Sequence, residues 1–301
     1  MNVIETHALS RRFGRTEAVH ELTLEVPAGS VTALLGSNGA GKTTTLKMLM
    51  NLLRPTSGSA TVLGVPSERL GERERARIGY VSENQDLPRW MTVRQLLDYC
   101  RPFYPTWDRD LERKLLAQFE LPEARKLGAL SRGMLMKAAL LSSLAYRPQL
   151  LVLDEPFSGL DPLVREDFIR GVLEVSDAGE WTVLVSSHDI EEVERLADHI
   201  ALMDAGRREL REPAEALQGR FRRVEVTHGG ENVGPAPEWI GWERAGTLTR
   251  FVETRFAGAA TERTWQERFP GATINAQPMS LREIFVALVR ARRKPANESA
   301  A

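Results

Sequence analysis

Gly36-Ser-Asn-Gly-Ala-Gly-Lys-Thr43 has the glycine spacing and the closing Lys-Thr pair of a loop that cradles phosphate. Small residues let successive backbone N–H groups curl around a β-phosphate, Lys42 reaches β and γ oxygens, and the Thr43 hydroxyl suits Mg²⁺. The expected phosphate contacts are Gly36, Ser37, Asn38, Gly39, Ala40, Gly41, Lys42, Thr43 and Thr44. Further along, Leu150-Leu-Val-Leu-Asp-Glu155 is an apolar run ending in two carboxylates. Asp154 is the acid for the Mg²⁺ side, directly or through water, and Glu155 is placed to orient or deprotonate a water aimed at a γ-phosphorus. Alone, the first stretch reads as a Gly-rich turn and the second as an exposed acidic turn. Together they describe a site for phosphate groups and Mg²⁺.

Such groups work only at the right place in a fold. Val31 to Leu35 is a nearly continuous apolar run, as a buried strand requires, and Leu46, Leu49, Met50 and Leu53 follow the loop at helical spacing until Pro55. Leu22, Leu24 and Val26 alternate with polar residues and predict one half-buried antiparallel strand. From about Thr92 to Arg147 strand signals vanish and a helical insert is expected, opening on the capping box Thr92-Val-Arg-Gln95. Leu150 to Leu153 and Val183 to Ser186 predict two more buried strands of a mainly parallel sheet, whose carboxyl edge is the usual ligand crevice. Asp189 with Glu192 predicts the cap of a helix carrying Ile190, Val193 and Ala197.

Beyond residue 218 the character changes. Candidate strands at Val224 to Thr227, Leu248 to Glu253 and Ala272 to Ala276 suggest a small α+β domain over 219–292. Its last helix opens on Ser280-Leu-Arg-Glu283 and is expected to bury Leu281, Ile284, Phe285 and Leu288. The basic stretch from Arg290 is expected to fray, with a disordered tail over 293–301.

The 301 residues carry 40 Lys plus Arg against 41 Asp plus Glu, a net charge of −1 that argues against a globally basic nucleic-acid binder. Apolar residues make up 42% and charged residues 27%, as in a soluble globular protein. The single Cys100 cannot form an internal disulfide, and the five histidines lack zinc-ligand spacing, so a reducing compartment is the default. Met1 to Arg12 has no signal-peptide character, and no run of about 18 apolar residues occurs, so a partner would have to do any membrane spanning.

The motifs occur in an order that resembles the nucleotide-binding subunit of an ABC transporter, over Met1 to Gln218. After the phosphate loop come Leu130-Ser-Arg-Gly-Met134, similar to the LSGGQ signature, then Leu150 to Glu155, then Ser158-Gly-Leu-Asp161 like the D-loop, then His188 like the switch histidine. The resemblance implies an α/β P-loop NTPase fold of ABC type, with a mainly parallel core sheet, an N-terminal antiparallel β-subdomain and the helical insert. It also implies head-to-tail dimers with each ATP held between one phosphate loop and the other subunit's Ser131 and Gly133. His188 would hydrogen-bond the γ-phosphate and the attacking water, Asp161 would shape the dimer contact, and Phe13 would stack on adenine. Read without the family, Ser131 is a helix cap, Phe13 a core aromatic and Asp161 part of a turn.

Three departures stand out. Glu83 occupies the family's usual glutamine, where a carboxylate still approaches Mg²⁺ but loses an N–H donor; Gln85 is the substitute if that loop is shifted. Arg132 and Met134 replace the usual first glycine and the glutamine of the signature, and Ser37 replaces a common proline.

The function implied is an ATP-hydrolysing subunit at the inner face of the cell membrane, pairing with a second ATP-binding subunit, expected to be a second copy, and driving a separate integral permease. Glu83 to Tyr104, with Trp90, Met91, Tyr99 and Phe103, would face that permease. Met279-Ser-Leu-Arg-Glu-Ile-Phe285 resembles the ending of bacterial exporter-type ATPases, which favours export. One competing reading is a soluble ATPase acting on nucleic acid or ribosomes; a single phosphate loop, no sustained heptads and no net positive charge weigh against it, and no nucleic-acid partner is expected. Another is a nonhydrolytic ATP-dependent interaction module, prompted by Glu83 and Arg132 and opposed by the joint presence of Lys42, Asp154, Glu155 and His188.

Overall fold

The computed structural model describes residues 1–83, 85–176, 181–229 and 233–293. The chain divides into two compact units, Met1–Arg211 and Glu212–Ala301, an earlier boundary than 218/219 because the helix before residue 221 belongs to the second unit.

The first unit runs β1 (Asn2–Phe13), β2 (Thr16–Leu22), β3 (Glu25–Pro27), β4 (Val31–Leu35), α1 (Lys42–Leu49), β5 (Ser57–Val62), β6 (Val65–Pro66), α2 (Glu72–Arg75) and β7 (Ile78–Ser82). It continues through α3 (Val93–Cys100), α4 (Arg109–Gln118), α5 (Arg132–Leu144), β8 (Leu150–Asp154), α6 (Pro162–Ser176), β9 (Thr182–Ser187), β10 (His199–Asp204) and β11 (Arg207–Pro213). β1 pairs antiparallel with β2, β3 and β5, and β5 with β6, forming the expected N-terminal sheet. Leu22, Leu24 and Val26 are all buried, but not on one strand: Leu22 ends β2 and Val26 lies in β3. The buried Thr6 hydroxyl donates to the Leu22 carbonyl at 2.8 Å and accepts the Leu24 N–H at 2.7 Å, which satisfies the backbone where the chain jogs between strands.

The second sheet has the order β11-β10-β4-β9-β8-β7, and its pairs from β10 through β7 are parallel. Every residue of β4, β8 and β9 is buried, because a parallel sheet is covered on both faces. Its register sets Leu35 beside Ser187, Ser186 beside Asp154, and Asp154 beside Ser82, so four strands deliver their carboxyl ends to one edge.

The insert holds α3, α4 and α5. Thr92 caps α3 reciprocally with Gln95, at 3.1 and 2.9 Å. After His188 the expected helix is only a 3-10 turn over Ile190–Glu192. Asp189 does cap it, accepting the Glu191 N–H at 3.0 Å, but the Glu192 carboxylate turns inward to the Ser187 hydroxyl at 2.6 Å and cannot close a capping box.

The second unit adds α7 (Ala214–Arg220), β12 (Arg222–Thr227), β13 (Trp239–Ala245), β14 (Leu248–Glu253), α8 (Ala259–Arg268), β15 (Thr273–Pro278) and α9 (Leu281–Arg293). An antiparallel sheet, β13-β14-β12-β15, packs Val224, Val226, Trp239, Phe251, Trp265 and Phe269 into its own core. β13 escaped the sequence reading because a register shift between Ile240 and Glu243, at Gly241 with φ 64°, breaks its alternation. Ser280 and Glu283 cap α9 as expected, and Leu281 and Ile284 are buried. Phe285 and Leu288 are only half-buried, and the helix continues through Arg290. The expected tail beyond residue 293 lies outside the described residues.

Candidate functional site

The loop between β4 and α1 needs its glycines. A Cβ on Gly36 would run into the Met203 carbonyl, and one on Gly41 (φ +98) into the Ala18 carbonyl. Gly39, with φ +86, has open space around it but a backbone that L side chains rarely adopt. Ser37, Asn38 and Gly39 are exposed, Ala40 is buried, and Thr44 is half-buried behind them. Lys42 opens α1 and folds back over the loop: its Nζ donates to the Gly36 carbonyl at 2.6 Å and the Ser37 carbonyl at 3.2 Å.

The two acids end β8 with different surroundings. Asp154 is buried, and its Oδ1 accepts from the Thr43 hydroxyl at 3.0 Å and the Ser186 hydroxyl at 2.8 Å. Burial pushes its carboxyl above the usual value, against those two hydrogen bonds and with the nearby Glu155 charge adding to the rise. Glu155 leaves the strand with φ +50, and its N–H donates to Ser186 Oγ at 3.0 Å. Its Oε1 lies 3.0 Å from Lys42 Nζ and its Oε2 2.8 Å from His188 Nδ1, so it bridges the phosphate-loop lysine and the histidine beyond β9. Beside these groups opens a cavity of about 250 Å³, walled by Thr43, Tyr80, Ser82, Glu83, Asp154 and Glu155.

The donor set fits a hard cation. Thr43 and Asp154 place two oxygen donors within hydrogen-bond reach of each other on the cavity wall. Mg²⁺ characteristically takes one or two protein oxygens and completes its shell with water and phosphate.

The signature segment stands elsewhere. Ser131 caps α5, accepting the Met134 N–H at 3.3 Å, and Gly133 is buried where an added Cβ would stand 2.8 Å from Val164 Cγ1 on α6. Asp161 caps α6 by accepting the Val164 N–H at 3.0 Å. Phe13 is not a core aromatic: it is 47% exposed, with the Arg11 guanidinium 4.6 Å from its ring centre. None of Phe13, Ser131, Gly133 and Asp161 lines the 250 Å³ cavity among the described residues. Glu83 does line it, and its Oε1 accepts from both Arg132 and the Ser158 hydroxyl, the latter at 3.0 Å, so that oxygen is already held by two donors. Gln85 lines the same cavity.

Sequence reasoning overlooked Ser186 and Tyr80. Ser186 donates to Asp154 and accepts from the Glu155 backbone, tying β8 to β9. Tyr80 lies close enough to Asp154 that burial and that carboxylate both push its phenol above the usual value. The Ser-Ser-His run at the end of β9 and the Tyr in β7 were the available signals, and parallel pairing with β8 is what gives them meaning.

Residues 19–158 match the family model described as ABC transporter. The chain is 34% identical over 230 residues to an uncharacterized ABC transporter ATP-binding protein of Bacillus subtilis, covering 75% of this chain and 74% of that protein. It is 33% identical over 300 residues to the sulfate/thiosulfate import ATP-binding protein of Salmonella typhi, covering 91% and 82%. A third relative, an uncharacterized ABC transporter ATP-binding protein of Synechocystis, is 34% identical over 220 residues, and the chain spans 61% of its length. Among solved structures, an ATP-binding subunit of an ABC transporter superposes with a TM-score of 0.66 at 27% identity, covering 72% of this chain and 92% of that one. A dimeric ATP-binding cassette bound to ADP and Pi shares the fold, with a TM-score of 0.63 at 21% identity over 70% and 98%. The chain therefore belongs to the ATP-binding proteins of ABC transporters, a family of subunits that hydrolyse ATP.

Proposed function

We propose that this chain binds ATP with Mg²⁺ at the 36–44 loop, hydrolyses it as a head-to-tail dimer, and thereby drives a separate membrane permease. The observation that carries the reading is the bridge Lys42–Glu155–His188 beside the Thr43–Asp154 pair. An incoming β/γ-phosphate competes with Glu155 for Lys42, and the freed carboxylate, still oriented by His188, takes a proton from a water. That water's oxygen bonds to the γ-phosphorus as the bond from phosphorus to the β,γ-bridging oxygen breaks, and ADP carries the electrons away. Thr43 and Asp154 would hold Mg²⁺, whose charge would offset that of the phosphates. Ser131 and Gly133 would serve the partner subunit's ATP, with Asp161 shaping that contact, and exposed Phe13 would offer its ring face to adenine.

The permease is expected at the segment following Glu83. Trp90, Tyr99 and Phe103 are exposed at 67, 57 and 63%, and the same segment contributes Leu87, Leu96 and Tyr104 to the lining of a groove of about 260 Å³, whereas Met91 is buried. No helix among the described residues is long and apolar enough to cross a membrane, so attachment at the inner face of the membrane would come from the permease. The C-terminal ending favours export, and the import proteins among the relatives are the counter-case; the sidedness of ATP-driven cargo movement in vesicles decides between them. The test of the catalytic reading is Glu155→Gln. Steady-state hydrolysis should fall at least about 100-fold, the scale of a general base, while ATP binding persists; unchanged turnover overturns it.

A further inference from the structure

The two largest departures from the family pattern, Glu83 and Arg132, touch each other: the Arg132 guanidinium donates to Glu83 Oε1. The same carboxylate oxygen accepts the Ser158 hydroxyl at 3.0 Å. Arg132 also lies over Gly159, where an added Cβ would come 3.0 Å from Nη1. Glu83 belongs to two cavity walls at once, the 250 Å³ cavity beside Thr43 and Asp154 and another of about 350 Å³ lined by Arg132 and Leu135. The pair is no stability device, since the two side chains are 50% and 29% exposed and such pairs contribute little. Its consequence is electrostatic. A carboxylate on the wall of a phosphate site repels the ligand unless a cation neutralises it and holds it to one side.

We infer that Glu83 and Arg132 are a compensating pair, in which Arg132 is a positioning residue that neutralises Glu83 and keeps it turned away from the ATP phosphates. The inference rests on the ATP-site reading. Arg132 acts through Glu83, so the effect of removing it depends on whether Glu83 still carries charge.

The experiment is a double-mutant cycle on the full chain, titrating the imido analogue of ATP with Mg²⁺ into wild type, Arg132→Gly, Glu83→Gln and the double variant. Arg132→Gly should weaken binding about tenfold at low salt, the scale of one unit charge acting across about 10 Å in a partly exposed site. The loss should shrink at high salt, which a packing defect would not do. Arg132→Lys, which keeps the charge, should stay within about threefold of wild type. The double variant should return to within about twofold. Arg132→Gln serves in place of the glycine variant if that one does not fold. A double variant as weak as Arg132→Gly overturns the pairing, since Arg132 would then act on the nucleotide directly; so does an Arg132→Gly chain that binds as wild type does. A wild-type chain that fails to bind the analogue overturns the ATP-site reading itself, and the inference with it.

Discussion

Asp154 shows how the site is built against its own stability. Its carboxylate is buried between Thr43 and Ser186, and burial raises its pKa. A carboxyl whose folded pKa lies above the unfolded value contributes least at neutral pH, because the unfolded chain ionises it more readily. Asp154→Asn keeps an acceptor for both hydroxyls and removes that charge. It should raise the Tm of the nucleotide-free chain by a few degrees at pH 7, measured by calorimetry, while abolishing hydrolysis. The gain should fade as pH falls through the ordinary carboxylate range, where both states protonate. An equal or lower Tm at pH 7 would show that the site carries no such strain. Lys42 and Glu155, by contrast, face each other as an ion pair at 3.0 Å, which phosphate has to open.

At the scale of elements, the insert depends on a buried acid and a glycine. Glu112 on α4 is 3% exposed and accepts from Arg94 at 2.6 Å, Arg101 at 3.1 Å and Trp107 Nε1 at 2.7 Å. Burial pushes its carboxyl up, but the bonds from Trp107, Arg94 and Arg101 together outweigh burial and leave it below the usual range. The stability it contributes is therefore present above the unfolded-state pKa and lost as pH falls through the folded one. Glu112→Gln should cost about 2–3 kcal/mol in urea unfolding at pH 7, short of the full penalty for a broken buried pair because both arginines reach solvent, and the gap from wild type should close in acid. Gly133 lets α5 approach α6, and Gly133→Ala would press on Val164. We expect a loss of about 1–3 kcal/mol from that overpacking. Most of it should be recovered by adding Val164→Ala; a double variant no better than the single would place the defect elsewhere.

For the whole molecule, the prediction concerns assembly. With Glu155→Gln slowing hydrolysis, ATP and Mg²⁺ should convert the chain to a dimer in sedimentation experiments, and removing Mg²⁺ should return it to monomer; a monomer throughout would refute the head-to-tail reading. Much of this was legible from residues alone. The phosphate loop announces itself by glycine spacing, because few residue types tolerate its backbone, and the apolar runs of β4, β8 and β9 read as strands because a doubly covered sheet leaves them no polar face. The Thr92 and Ser280 caps were legible because a capping box is local in sequence. β13 was not, since Gly241 shifts its register and scrambles alternation, nor was the break between β2 and β3, which depends on the distant Thr6 hydroxyl. The helix expected after His188 failed for a related reason: Glu192 finds partners in Ser187 and Arg165 rather than at the cap. Residue type and spacing thus determined which groups can do chemistry, because those demands are covalent and local. Only the tertiary structure decided that Ser186 bridges the two acid positions and that Arg132 answers Glu83, because polar and charged groups far apart in the chain select their partners only after the fold brings them together.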